Sequence, residues 1–264
     1  MRLLERKPGG ELGLTKYLTT NIPSYAILSH TWGNDGEEEV TFQEMDAGTG
    51  QTKPGYQKLE FCIEQADRDG LRYCWVDTCC IDKSSSTELS EAIISMFRWY
   101  KNSTRCYAYL SDVSTAAQPQ HVWEPAFQRS RWFTRGWTLQ ELLAPSSVGF
   151  FAKDRTLLGD KHSLLQELHD ITGIATRALR DQDSLCTFSI DERFEWAKSR
   201  QTTKEEDWVY SLLGVFDVSM AILYGEGKEK ALRRLRKEIP ETPALQGGIS
   251  LAPPFPSLSA VKYT

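Results

Sequence analysis

The sequence predicts an α/β fold: an open, mostly parallel sheet with helices on its faces, followed by a helical extension. Between residues 25 and 152, four short runs are almost wholly apolar, which is typical of strands covered on both faces. The segments between these runs carry apolar residues at three- and four-residue spacing, as amphipathic helices do. Because strands that alternate with helices form βαβ units, we expect the strands to be parallel.

Local signals set the boundaries of these core elements. Gly70 follows the first helical stripe and predicts its C-terminal cap. Ser85 and Glu88 have the spacing of a capping box and begin the next helix. Pro145 ends a later helix, because proline interrupts helical hydrogen bonding. In chain order, strands are predicted at residues 25–29, 73–81, 106–110 and 147–152, and the main helices at 55–69 and 85–100, with a shorter one before Pro145.

The rest of the chain divides into a helical extension and a polar tail. Thr203 and Glu206 suggest a second capping box, whereas Pro, Ser and Gly dominate after Pro240. Helices are predicted at residues 163–171, 192–198, 208–216 and 226–239. We therefore predict one domain over residues 1–240, with an α/β core at 25–152 and a helical extension at 153–240, and a linker or disordered tail at 241–264.

Composition argues against several classes of function. A net charge of −5 and a pI near 5.5 argue against a broad nucleic-acid surface. No apolar run approaches the roughly 20 residues of a membrane span, and no secretion signal is recognisable. Six cysteines without a CxxC pair favour reduced, buried thiols in a cytoplasmic protein. Phosphate-loop, dinucleotide and metal-ligand motifs are absent from the sequence, so neither a cofactor nor a metal is expected.

Polar and aromatic residues gather where the predicted strands end. In an open parallel sheet, ligands bind in the crevice beyond the carboxyl ends of the strands. The helix before the fourth strand adds two residues at i and i+4, which share one helical face. The candidate binding residues are Ser29, His30, Trp32, Asp77, Thr78, Lys83, Ser111 and Trp137, and the candidate catalytic residue is Glu141.

Each candidate also has a purely structural interpretation. Glu141 fits a solvated helix position equally well, because most glutamates are exposed. His30 fits a structural hydrogen bond and Asp77 a turn cap. Ser29 lacks the G-x-S-x-G context of a hydrolase nucleophile. From these residues alone, a catalytic and a non-catalytic role both stay open.

Several blocks of sequence resemble the signature of the fungal heterokaryon-incompatibility (HET) domain. They are YAILSHTWG at 25–33, WVDTCCIDK at 75–83 and RGWTLQEL at 135–142, followed downstream by LLGVFD at 212–217 and LYGEG at 223–227. The resemblance implies a cell-death effector of heterokaryon incompatibility and innate immunity, which acts when incompatible fungal cells fuse. Many family members continue into a nucleotide-binding receptor, so the resemblance also implies such a module C-terminal to this chain.

The order of elements is similar, more distantly, to that of Toll/interleukin-1 receptor (TIR) domains, which implies a flavodoxin-like strand order. In enzymatic TIR domains, a glutamate in a segment like residues 137–142 cleaves NAD, and Glu141 falls on that position. The resemblance therefore implies NAD as a substrate, hydrolysed to nicotinamide and ADP-ribose. It also implies homo-oligomers on activation, with the loop after the second strand against a neighbour. The rival interpretation is a non-catalytic module that self-associates and recruits partners.

Overall fold

The computed structural model describes residues 1–33, 37–115 and 123–240, so the predicted tail at 241–264 lies outside the described residues. The described residues form one seven-stranded sheet. Its strands are β1 Leu4–Arg6, β2 Leu12–Leu14, β3 Tyr25–His30, β4 Tyr73–Trp75, β5 Arg105–Leu110, β6 Val148–Ala152 and β7 Leu157–Asp160. Across the sheet they lie in the order β2-β1-β4-β3-β5-β6-β7.

The four central strands are parallel, which confirms the predicted fold class. β3 pairs with β4 on one side and with β5 on the other, and β5 pairs with β6. The winding direction therefore reverses between β3 and β5, as in flavodoxin-type sheets, and a crevice opens beyond the carboxyl ends of these two strands. The outer strands β1, β2 and β7 are antiparallel to their neighbours. They were not predicted, because strands of three or four residues are too short to show a period.

Helices connect and cover the strands. In chain order they are α1 Phe42–Asp46, α2 Tyr56–Arg68, α3 Ser86–Lys101, α4 Glu124–Gln128, α5 Thr138–Leu143, α6 Leu165–Thr172, α7 Thr176–Arg180, α8 Ile190–Glu195, α9 Asp207–Tyr210 and α10 Lys228–Glu238, with 3₁₀ turns at Arg131–Thr134 and Gln182–Thr187.

Helices α2 and α5 pack on opposite faces of the sheet. Phe61 of α2 packs its ring against those of Tyr107 and Tyr109 in β5. Cys106, whose side chain points to the other face of β5, contacts the carbonyl of Glu141 in α5. Helix α3 packs against α5, and its Tyr100 hydroxyl donates to the carbonyl of Leu28 in β3.

Three boundary predictions were wrong. The helix predicted at 192–198 spans Ile190–Glu195, so it begins two residues and ends three residues earlier than predicted. The strand predicted at 73–81 ends at Trp75; residues 76–81 stay largely buried but turn, and the N–H of Cys80 donates to the carbonyl of Val76 at 2.9 Å. The helix predicted at 208–216 spans only Asp207–Tyr210. Glu206 is the N-cap of this helix, but its side chain forms no capping bond, because the carboxylate accepts the N–H groups of Gly225 and Gly227.

The capping box predicted before α3 forms only in half. The Ser85 hydroxyl accepts the N–H of Glu88, as a box requires. The Glu88 carboxylate, however, accepts the N–H of Asp82 and pairs with Arg2. The helix still begins at Ser86, close to its predicted start.

The helical part that follows β7 docks on the segment leading into α5. The N–H of Gly136 donates to the carbonyl of Gln201 at 2.8 Å, and the N–H of Gln201 donates to the carbonyl of Thr134 at 2.7 Å. A Cβ at Gly136 would lie 2.4 Å from Cγ2 of Thr202, so any larger residue there requires the Thr202 side chain to move. Because β7 joins the sheet, the sheet itself continues beyond residue 152.

All six cysteines are free, and five are buried. Burial raises the pKa of the Cys62 and Cys106 thiols well above the ordinary value. Cys186 is exposed. Within residues 1–33, 37–115 and 123–240, no helix combines the length and apolar character needed to cross a membrane.

Candidate active site

Glu141 lies in the short helix α5, whose six residues are all buried. Only 7% of its surface is exposed, so the solvated helix position that the sequence left open is excluded. Its Oε2 atom accepts a hydrogen bond of 2.5 Å from the hydroxyl of Ser29. Ser29 is completely buried near the carboxyl end of β3, beside the point where the sheet reverses its winding. The structure thus brings together the predicted catalytic residue and one predicted binding residue.

Two aromatic residues complete the surroundings of this carboxyl. The indole N–H of Trp132 donates to the Ser29 hydroxyl oxygen at 2.8 Å, and the Trp132 side chain is fully buried. The Tyr100 hydroxyl lies within hydrogen-bonding reach of Glu141. Neither residue was predicted as part of the site: Tyr100 was placed on the core face of a helix, and Trp132 was given no role.

The environment of Glu141 favours its protonated form. Burial raises the pKa of its carboxyl to about 8, and the negative charge of Asp77 acts in the same direction. The hydrogen bond from Ser29, the nearby Tyr100 hydroxyl and the charge of Arg135 oppose this rise in pKa. Around neutral pH the balance of these influences therefore favours the neutral carboxyl.

Four other predicted residues meet at the rim of the sheet, around Asp77. Its two oxygens contact His30 Nε2 and Trp32 Nε1, each at 3.0 Å, and the Lys83 ammonium lies 3.9 Å away. Burial opposes ionisation of Asp77, but Lys83 and these hydrogen bonds outweigh it and lower the pKa to about 2. The Lys83 ammonium also sits 3.7 Å from the centre of the Trp32 ring. Among the residues that the structure describes, His30 Nδ1 has no hydrogen-bond partner, and it lies 4.0 Å from a Glu39 oxygen.

Two cavities open next to this rim. The larger, about 470 Å³, lies on the α2 side of the crevice between β3 and β5, and its walls include Thr31, Trp32, Lys58, Tyr109, Ser111 and Arg131. The Thr31 and Ser111 hydroxyls are 3.3 Å apart in its wall. The smaller, about 120 Å³, is lined by Trp32, Thr78 and Lys83 among others. Glu141 lines neither of them, since it faces the α3 side of the sheet.

Trp137 is the predicted residue that the structure separates from the others. Its side chain is half-buried and lies within hydrogen-bonding reach of Asp207, in the helical part. Trp137 is the N-cap of α5 and its carbonyl accepts the N–H of Glu141 at 3.4 Å, so the predicted one-turn spacing is present. The two side chains nevertheless have different surroundings, because that of Trp137 lies against the helical part. Among the residues that the structure describes, no cluster of His, Cys, Asp or Glu has the arrangement of a metal site.

Comparisons with known proteins agree with the signature blocks. Residues 25–125 match the family described as heterokaryon incompatibility protein (HET). The chain is 56% identical over 243 residues to vegetative incompatibility protein HET-E-1 of Podospora anserina. That alignment covers 90% of this chain but 18% of the relative, so the chain spans less than a fifth of that protein's length. No solved structure matches the chain. The family match spans the first two signature blocks and the identity extends over 90% of the chain, so the chain contains a heterokaryon-incompatibility (HET) domain.

Proposed function

We propose that this HET domain is a cell-death effector that hydrolyses NAD to nicotinamide and ADP-ribose, with Glu141 as its catalytic carboxylate. The observation that carries the proposal is a buried carboxyl with a raised pKa, hydrogen-bonded to Ser29 beside the reversal point of the sheet. Carboxyls with strongly perturbed pKa values beside a crevice are candidates for chemistry. Burying a carboxyl costs free energy of folding, which favours a functional reason for Glu141 at this position.

A single carboxylate is sufficient for this reaction. When the bond between nicotinamide and ribose breaks, its electron pair goes to the ring nitrogen, and the pyridinium leaves as neutral nicotinamide. Positive charge develops on the ribose, as in glycoside hydrolysis, and water then adds to the anomeric carbon and loses a proton. The cationic nicotinamide ring of NAD lowers the pKa of Glu141 when it approaches. The substrate therefore promotes formation of the carboxylate that stabilises the positive charge on its ribose.

Access to Glu141 explains how such a domain is kept inactive. With 7% of its surface exposed, Glu141 cannot contact a ribose unless its cover moves. We propose that self-association moves the rim and completes the pocket, so that the structure described here is the resting form. NAD and a second copy of the domain are then its partners.

The test is the conversion of Glu141 to glutamine. Glu141→Gln keeps the size of the side chain and its ability to accept from Ser29, but it removes the negative charge. We expect a folded protein whose rate of nicotinamide release falls by about 10²-fold or more. Glu195→Gln, at a surface position paired with Lys198, is the matched control and should keep full activity. Full NAD turnover by folded Glu141→Gln would exclude the assignment.

A second candidate function is a non-catalytic signalling module. The observation that favours it is that Glu141 lines neither cavity, whereas the rim presents Trp32 with 38% of its surface exposed. Under this alternative, cells expressing the domain still die and Trp32→Ala protects them. No nicotinamide is released at any protein concentration, and Glu141→Gln leaves killing unchanged.

A further inference from the structure

The short helix that carries Glu141 is held at its two ends by buried cations from outside it. Arg200, which is 4% exposed, lies at its start, and Lys161, also buried, lies at its end. We propose that Arg200 is a positioning residue for Glu141, which makes the helical part of the chain a component of the site. The test of this inference by NAD cleavage rests on the proposed function, whereas its test by titration of Glu141 does not.

The bonds of Arg200 converge on the beginning of α5. Its Nη1 donates to the carbonyl of Arg135 and to the hydroxyl oxygen of Thr138, both at 2.9 Å. Its Nε donates to the carbonyl of Trp196, which anchors the guanidinium to its own segment. The neighbouring Gln201 bonds to the backbone of Thr134 and Gly136, so the whole approach to α5 is held from one side.

Two sets of hydrogen bonds, joined through the residue Trp132, connect Arg200 with the carboxyl of Glu141. The Thr138 hydroxyl, which accepts from Arg200, lies 2.6 Å from the carbonyl oxygen of Trp132. The Trp132 indole donates to Ser29, and Ser29 donates to Glu141. The Trp132 carbonyl and the Trp132 indole belong to one residue, so a change at Arg200 reaches Glu141 only by shifting Trp132 as a whole. The guanidinium itself does not touch the carboxyl.

The charge of Arg200 acts on Glu141 as well. Burial lowers the pKa of Arg200 to about 10, and the negative charge of Glu141 opposes that shift. None of the ion pairs found among the described residues includes Arg200, and its buried Nη2 atom has no hydrogen-bond partner there. A buried cation without an ion pair is costly, and its field favours the ionised form of the nearby carboxyl.

Lys161 provides a matched comparison at the other end of α5. Its ammonium donates to the carbonyls of Pro145 at 3.0 Å and Leu143 at 3.5 Å. Burial lowers the pKa of Lys161 to about 8, and the opposing influence comes from Cys106 rather than from Glu141. Lys161 thus supports the helix without belonging to either set of hydrogen bonds.

The experiment measures the titration of Glu141 in the full chain. For the wild type, Arg200→Met, Thr138→Val and Lys161→Met, the unfolding free energy is compared with that of the same protein carrying Glu141→Gln, from pH 5 to pH 9. The pH dependence of each difference yields the pKa of Glu141 without any substrate. We expect Arg200→Met to raise that pKa by about one unit and Thr138→Val to raise it less. Lys161→Met should lower stability and leave the pKa unchanged.

NAD turnover supplies the second readout. Arg200→Met should lower kcat about tenfold or more with little change in KM, and Arg200→Lys should restore the pH midpoint because it keeps the charge. If Arg200→Met fails to fold, Thr138→Val and Arg200→Lys still decide the question. A Glu141 pKa that is the same in the wild type, Thr138→Val and the folded Arg200 variants would overturn the inference. If the wild type does not cleave NAD, only the proposed function is overturned, because the titration of Glu141 uses no NAD.

Discussion

At the scale of single residues, the buried carboxyl of Glu141 ties stability to pH. Its pKa of about 8 in the folded domain lies above the ordinary value of 4.5, so the folded state holds the proton more tightly. The resulting contribution to stability is fully present below about pH 4.5 and is lost as pH rises through 8. We expect Glu141→Gln to gain several degrees in Tm relative to the wild type between pH 5 and pH 8. Parallel Tm curves across that range would show that Glu141 ionises normally.

Ser29 affects the pKa of Glu141 in the direction opposite to burial. The hydrogen bond from its hydroxyl lowers the pKa of Glu141, so Ser29→Ala should raise it further. It also leaves the buried indole N–H of Trp132 unpartnered, which costs about 1–3 kcal/mol. We expect the midpoint of the pH profile of kcat/KM to move to higher pH. Ser90→Ala, which removes an exposed helix-surface hydroxyl, is the control and should leave the profile unchanged.

At the scale of elements, the loop between β4 and α3 separates two roles in adjacent residues. Asp82 accepts from Gln43 and from the N–H and hydroxyl of Ser84, so Asp82→Ala should lower stability by about 1 kcal/mol. Lys83, which is 34% exposed, contacts Trp32 and Asp77, and Lys83→Ala should reduce NAD cleavage with little change in Tm. Thermal unfolding and nicotinamide release measured on both variants check this. A Tm loss in Lys83→Ala that matches its loss of activity would make the loop only a turn.

The extent to which elements could be predicted depended on their length and on what buries them. Helices α2 and α3 were predicted to within a residue at each end, because each carries a full apolar stripe and a capping signal. Residues 76–81 were predicted as strand because a buried apolar run looks alike whether it is extended or turned. The Ser29–Glu141 contact, by contrast, joins residues 112 positions apart, and no local pattern encodes a pairing over that distance.

The candidate site was predictable in kind but not in arrangement. The parallel pairing of β3 with β4 brings His30, Trp32, Asp77 and Lys83 to one rim, at the strand ends where they were predicted. The strand register determines the face of the sheet on which each side chain lies, and the register cannot be read from the sequence. Arg200 was not predicted as a site residue, because its contact with Thr138 joins positions 62 residues apart and depends on how the helical part docks.

At the scale of the whole molecule, activity should depend on assembly. Because the resting domain covers Glu141, we expect the rate of NAD cleavage to rise more steeply than linearly with protein concentration. Fusion to a forced oligomeriser should have the same effect at low concentration, since it raises the effective local concentration to about the millimolar range. A rate strictly proportional to concentration from nanomolar to tens of micromolar, with a monomer throughout, would show that one chain holds a complete site.

Because the cysteines differ in exposure, their chemical labelling can report conformational change in the domain. Cys186 is the single exposed cysteine, whereas the other five lie in the interior. A small alkylating reagent should therefore modify one thiol at once and the rest only as the interior opens. Cys106 packs against the backbone of Glu141, so its labelling would time the uncovering of that residue. If assembly exposes Glu141, the labelling of Cys106 should accelerate while that of Cys62 stays slow, and mass spectrometry of two peptides would follow activation without any substrate.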